Sequence, residues 1–211
     1  SRIVTGGFSN AGQVCISVQR VFFEKCIYDR ALEMILKHVA ALKTGDPRNQ
    51  DTDVGPMIST EAAIRAETLV QDAVLQGATL LCGGKRSGAL FTPAVLADTP
   101  PDMRVSCEEV FAPIITVNAY EKFGDALSEA NRSEFGLQMG LFTNHLPFIL
   151  QAFGEAEVGG VMVNDIPTFR ADQMPYGGTK ASGTGKEGPR YAIREMTEEK
   201  LLVINPQGGS Q

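Results

Sequence analysis

Phe8-Ser9-Asn10-Ala11-Gly12-Gln13-Val14-Cys15-Ile16-Ser17-Val18-Gln19-Arg20 is the stretch from which the chain is best read. Gly6 and Gly7 stand before it, Gly12 lies three residues ahead of the cysteine, and the run Val18 to Phe23 after it reads as a buried strand. A thiol on a tight bend ahead of a strand can have backbone N–H groups aimed at it, which favours the thiolate and makes the cysteine a nucleophile. The same residues fit a small buried hydrophobe, the usual condition of a free cysteine. Taken alone, they leave both readings open.

Outward from that stretch, strands alternate with helices. Gln19 to Glu24 is rich in β-branched and aromatic residues and reads as a strand. Asp29 to Leu42 places Leu32, Ile35, Val39 and Leu42 at helical spacing, with Asp29 as the expected cap. A second helix is expected from Ser59 to about Gln76, stopped by Gly77. Ala78 to Cys82 reads as a short strand, and Phe91 to Leu96 as an edge strand, since Pro93 has no N–H to give a ladder. Pro113–Tyr120, Met139–Thr143 and Gly160–Asn164 read as strands, separated by helices over Glu121–Asn131 and Leu146–Glu157. Strands alternating with helices of about 10 to 15 residues predict an α/β fold with a mostly parallel sheet flanked by helices.

The two ends carry further expectations. Asp165 to Pro189 is a long Gly/Pro-rich loop, a length that usually marks function. A short helix follows over Gly188–Met196, and then an apolar strand, Lys200 to Asn205, with no helix to cover it. Such a strand offers an open edge, so it is expected to pair with another chain or domain. Pro206 to Gln211 reads as a disordered tail. Ser1 to Thr5 reads as the middle of a helix without a cap, which suggests a piece of a longer protein.

Composition narrows the class. The 211 residues are 43% hydrophobic and carry a net charge of −6, so a sizeable core is affordable but no basic surface is available to neutralise nucleic-acid phosphates or an anionic membrane. No apolar run is long enough to span a bilayer and no signal-peptide pattern opens the chain, so a cytoplasmic protein is expected. Cys15, Cys26, Cys82 and Cys107 stand at wide, irregular spacings beside only His38 and His145, which predicts neither a zinc site nor a disulfide framework. Asn131-Arg132-Ser133 matches a glycosylation sequon, but nothing else suggests secretion.

Two other segments have the look of chemistry. Gly183 to Gly188 is a literal Gly-x-Gly-x-x-Gly, yet no strand is expected before it, Pro189 follows directly, and no ribose-binding acid stands at the right distance, so a phosphate cradle is not expected. Glu108-Glu109-Val110-Phe111-Ala112-Pro113 places paired acids before an apolar run, which as isolated residues reads as a solvated turn.

Together these segments resemble the signatures of the aldehyde dehydrogenase superfamily. Phe8 to Cys15 with Arg20 resembles its active-site motif, Glu108–Pro113 its Glu-Glu-x-Phe-x-Pro motif, and Pro175–Gly188 its C-terminal glycine-rich motif, with Tyr176 where phenylalanine is usual. The three cover Gly7 to Ile204 in the family's order. The resemblance implies that 1–197 is a catalytic domain and 198–205 an oligomerisation strand. It assigns Cys15 as the nucleophile that forms a thiohemiacetal and then a thioester. Glu109 would bind the nicotinamide ribose of NAD or NADP, and Phe111 would pack on the nicotinamide. No metal is implied.

The run Asn164 to Arg170 is similar to the substrate loop of branches that oxidise small polar or anionic aldehydes, such as lactaldehyde or phosphonoacetaldehyde. Phe169 would flank the carbonyl, and Arg170 would either face an anionic substrate or remain a surface charge. A homo-oligomer is implied as well. The family's general base, a glutamate in a Glu-Leu-Gly-Gly segment, and its adenosine-binding domain have no counterpart in these residues, so little activity is expected of the chain alone. Two other classes remain as alternatives: a cysteine hydrolase or acyltransferase using His38 or His145, and a non-catalytic assembly module.

Overall fold

Ile114, Ile115, Thr116 and Val117 are all buried, the pattern of a strand covered on both faces rather than one with a wet side. A computed structural model describes residues 1–206. In chain order it forms α1 (Arg2–Phe8), a 3₁₀ turn (Ser9–Gly12), β1 (Arg20–Glu24), α2 (Lys25–Ala40), α3 (Thr60–Leu75), β2 (Thr79–Cys82), β3 (Arg86–Ser87), β4 (Leu90–Phe91), β5 (Ala94–Ala97), α4 (Arg104–Cys107) and β6 (Ile114–Tyr120). Then come α5 (Phe123–Asn131), β7 (Phe135–Gly136), β8 (Gln138–Leu141), α6 (Leu146–Glu155), β9 (Gly160–Val163), β10 (Thr179–Lys180) and α7 (Pro189–Met196).

The main sheet runs β1-β6-β5-β2, parallel except for β2. β8 and β9 form a second parallel pair. Phe8, Leu69, Phe91, Leu96, Ile114 and Ile115 are almost wholly buried and join one hydrophobic cluster that helices and sheet share. The α/β expectation with a mostly parallel sheet therefore holds.

Local chemistry explains the helices. Ser59 caps α3 by accepting the Ala62 N–H at 3.1 Å, and Ala63, Ala66, Val70 and Ala73 form its buried stripe. Gly77 ends that helix with φ +103°. Pro147 sits in the first turn of α6, where no N–H is needed.

Several expectations are corrected. α2 begins at Lys25, not Asp29, because the backbone turns at Glu24 straight from strand into helix; Asp29 lies within it and caps nothing. The segment Phe91–Leu96 is not an edge strand. Phe91 belongs to a two-residue hairpin with Arg86, while Ala94–Ala97 lies between β6 and β2. Pro93 stands just ahead of that strand, so its missing N–H removes nothing from the ladder. A strand does precede Gly183, but β10 is a two-residue antiparallel partner of β7 and not part of a βαβ unit. Leu201 to Ile204 pair with no strand among the described residues and are 74–86% exposed. The expected disordered tail begins with Pro206, a turn residue; its remainder, 207–211, lies outside the described residues. No described helix is long and apolar enough to cross a membrane.

Candidate active site

Strand register brings two of the sequence motifs side by side. β1 and β6 are parallel neighbours, and Arg20 pairs with Thr116. Cys15 lies five residues before Arg20 and Phe111 five before Thr116, so the segments leading into the two strands emerge together at the same sheet edge. The resulting cleft lies at the amino ends of the parallel strands, opposite to the carboxyl-end crevice usual for open α/β sheets. Gly12, Cys15, Gln19, Glu109, Phe111 and Ala112 are among its lining residues.

The bend that carries the thiol is made by three consecutive residues in the left-handed region. Asn10 (φ 52°) and Ala11 (φ 55°) are costly there, and Gly12 (φ 67°) is not. Gly12 is needed for space as well, because a Cβ at that position would lie 2.2 Å from the Ala112 carbonyl oxygen. Gln13 fastens the bend outward by accepting the Ile58 N–H at 2.9 Å. Ser17 donates to Val14 O from its N–H at 2.9 Å and to Gly6 O from its hydroxyl at 3.2 Å, closing a turn with Cys15 at its crest. Cys15 is exposed, so the buried-hydrophobe reading fails.

The opposing Glu108–Ala112 loop is fixed by groups outside it. Gln19 donates to Val105 O (3.1 Å) and Glu108 O (2.8 Å) and accepts the Val110 N–H (3.0 Å), tying the cysteine's own strand to the loop. Arg65 of α3 donates to Val110 O at 2.7 Å and Glu109 O at 3.0 Å. The two acids part company here. Arg104, 2.7 Å from Glu108, holds that carboxyl below the usual carboxylate range, with Arg65 adding to the effect. Glu109 is left exposed on the cleft, Val110 is buried beneath it, and Phe111 turns outward on a left-handed backbone (φ 48°) with 45% of its surface exposed.

The long loop after β9 closes on the cysteine as well. Arg2 of α1 pairs with Asp165 and ties the start of that loop to the helix leading to Cys15. Tyr176 reaches the thiol itself: its hydroxyl is 2.8 Å from the Cys15 sulfur. The ring is buried, only 6% exposed, and its backbone exchanges two hydrogen bonds with Glu187. Arg170 stacks on the ring, its guanidinium carbon 4.2 Å from the centroid, and pairs with Glu187 at 2.9 Å. Burial chiefly, and then the contact with Cys15, pushes the Tyr176 phenol well above the ordinary tyrosine range. Phe169 is 48% exposed, and its N–H donates to Ile166 O. Lys186 of the glycine-rich motif donates to Gly177 O and Gly178 O, so that stretch braces the loop rather than offering amides to a phosphate.

Cys15, Glu109 and Phe111 thus share one cleft, while Arg170 is engaged by Glu187 and Tyr176. Neither histidine lines the cleft: His38 lies on α2 and His145 at the start of α6. Among the described residues no group of three or more His, Cys, Asp and Glu side chains is placed to hold a metal. Sequence reading missed Gln19, Arg65 and the chemistry of Tyr176. Only the last left a trace, a hydroxyl where the resembling motif has a plain phenyl ring.

A thiol at the amino edge of a mostly parallel α/β sheet, opposed by a carboxylate and an outward aromatic ring, makes up the candidate site. The chain belongs to the aldehyde dehydrogenase family, whose model matches residues 1–202. It is 47% identical over 205 residues to the 3-sulfolactaldehyde dehydrogenase of Priestia aryabhattai, covering 97% of this chain and 43% of that protein. It is 41% identical over 202 residues to the lactaldehyde dehydrogenase of Methanococcus aeolicus, covering 96% and 43%.

Among solved structures it is similar to aldehyde dehydrogenase 21 from Physcomitrella patens in complex with the reaction product succinate (TM-score 0.95, 42% identity, 99% of this chain and 44% of that one). It is also similar to glyceraldehyde-3-phosphate dehydrogenase GapN from Methanocaldococcus jannaschii complexed with NADP (TM-score 0.89, 40% identity, 92% and 42%). The chain spans less than half the length of each of these relatives.

Proposed function

We propose that this chain supplies the nucleophile and the nicotinamide contacts of an NAD- or NADP-dependent aldehyde dehydrogenase acting on small polar or anionic aldehydes. The observation that carries this reading is the convergence of Cys15, Glu109 and Phe111 on one cleft from segments almost a hundred residues apart. Residues 1–197 act as the catalytic domain, and 198–205, exposed and apolar at Leu201–Ile204, as a strand that joins copies of the protein. A cytoplasmic location fits four unpaired thiols and an acidic chain.

The cleft suits the redox end of a nicotinamide dinucleotide. Phe111 leaves an apolar ring half-exposed where a flat heterocycle can pack, and Glu109 offers oxygens that accept from both hydroxyls of a ribose. When bound, the nicotinamide supplies the acceptor for hydride. Cys15 thiolate forms an S–C bond to the aldehyde carbon, and the carbonyl oxygen becomes an oxyanion that the Cys15 N–H helps to stabilise. Loss of the C–H hydrogen as hydride turns this thiohemiacetal into a thioester on Cys15. Water then adds to the acyl carbon, the S–C bond breaks, and a carboxylic acid leaves with the thiolate restored. The base that activates this water is a glutamate outside the matched motifs, so the chain by itself turns over poorly.

Phe169 flanks the carbonyl from the loop. Arg170 serves anionic aldehydes by exchanging Glu187 for the substrate anion, a choice supported by the anionic aldehyde in the name of 3-sulfolactaldehyde dehydrogenase and by the anionic reaction product, succinate, named for the Physcomitrella patens structure.

Acyl transfer tests the nucleophile without the missing base. Trypsin separates the four cysteines, with Cys15 in the peptide Ile3–Arg20. With p-nitrophenyl acetate, Cys15 should be acetylated at least about tenfold faster than the exposed Cys26 and Cys107, and Cys15→Ser should abolish it. Equal labelling of the three would overturn the proposal. Loss of acetylation in a His38→Ala/His145→Ala variant would favour the hydrolase reading instead.

A further inference from the structure

The contact between Cys15 and Tyr176 is not explained by packing alone. A phenyl ring would fill the same buried space, stack under Arg170 and keep the backbone exchange with Glu187, so the hydroxyl adds only what it does to sulfur 2.8 Å away. The side chain is also held from several directions. Arg170 lies on one ring face, Glu187 anchors both Arg170 and the Tyr176 backbone, and Lys186 holds the following carbonyls of Gly177 and Gly178. The charged and titratable groups around the pair are Arg170 and Glu187 on the loop and Glu109 across the cleft. Because its phenol is pushed above the ordinary tyrosine range, Tyr176 stays protonated at neutral pH and is the donor whenever the sulfur is ionised.

The geometry points to Tyr176 as a positioning residue for the nucleophile: its hydroxyl donates a hydrogen bond to the Cys15 thiolate and fixes where the sulfur lies. The bond stabilises the resting thiolate and must be given up as the S–C bond forms, so it trades intrinsic nucleophilicity for a larger ionised fraction. This rests on Cys15 being the nucleophile, and the test separates the two claims.

The rate of iodoacetamide alkylation of each cysteine is followed by mass spectrometry of tryptic peptides across pH, for the unaltered chain and for Tyr176→Phe. The substitution should move the midpoint of the Cys15 profile up by about one pH unit, the size of one hydrogen bond to a charged group. It should also raise the limiting alkaline rate about threefold, because a more basic thiolate is the stronger nucleophile. The two Cys15 profiles then cross, whereas those of Cys26 and Cys107 stay put. A Cys15 profile that superimposes on the original, or that merely scales up or down at every pH, overturns the role of Tyr176. If instead Cys15 in the unaltered chain reacts no faster than Cys26 and Cys107 at and below neutral pH, it is the nucleophile reading that falls. Should Tyr176→Phe fail to fold, Cys15→Ala is titrated by tyrosinate absorbance. One of the four tyrosines should then ionise at lower pH, and an unchanged titration overturns the proposal.

Discussion

The two walls around Cys15 are held by different means. On the Glu109 side, the register of β1 on β6 sets the spacing, and Gln19 and Arg65 pin the loop through backbone groups that the buried core keeps in place. On the Tyr176 side, a long segment with one two-residue strand relies on a ring contact, an exposed ion pair and lysine bonds to carbonyls. Sheet register is all-or-none, since a slip would re-face every side chain, whereas surface ion pairs are individually weak. The first wall cannot shift without loss of register, whereas the second can give where its ion pair exchanges partners.

Substitutions in each wall should expose the contrast. Gly12→Ala places a Cβ against the Ala112 carbonyl on a left-handed backbone, and strain plus overpacking should cost about 3 kcal/mol. Thermal unfolding should then fall by roughly 6–12 °C for a chain of this size. A melting point within about 2 °C of the original would mean that the bend can relax, and the rigid-wall description would fail. Gln19→Leu strands one donor and two acceptors in the loop, for a loss of about 2 kcal/mol read by urea unfolding. It should also slow acetylation of Cys15, because loop and bend are joined at that side chain.

The Tyr176 wall should yield far less in stability. Glu187→Gln removes an exposed ion pair worth about 0–1 kcal/mol, so melting should barely move. Its effect should appear in substrate handling: with Arg170 released, KM for a sulfo- or carboxy-aldehyde falls in the full-length enzyme, while KM for a neutral aldehyde stays level. Equal changes for both substrates would remove Arg170 from the anion-binding role. Leu202→Lys should leave the melting of the monomer unchanged to within about 0.5 kcal/mol, yet weaken self-association in sedimentation if 198–205 joins copies.

The alternation of strands and helices was legible because its signals are local: Ser59 opening α3, Gly77 closing it, and the β-branched residues at the start of β6. The motifs around Cys15, Glu109 and Phe111 could be picked out one by one for the same reason. The edge-strand expectation failed because neighbours distant in sequence decided the outcome. Pro93 argued for an edge strand, but the position of Ala94–Ala97 between β6 and β2 depends on partners elsewhere in the chain.

By itself, then, the sequence determined an α/β chain with a candidate thiol, an acid and an aromatic ring in separate motifs, since each of these is written in a few consecutive residues. Tertiary structure alone decided that they meet, that Gln19 joins them, that Arg170 spends its charge on Glu187, and that a tyrosine 161 residues from the cysteine lies against its sulfur. Such meetings follow from strand order and register, which sum weak preferences over the whole chain and leave no mark at any single position.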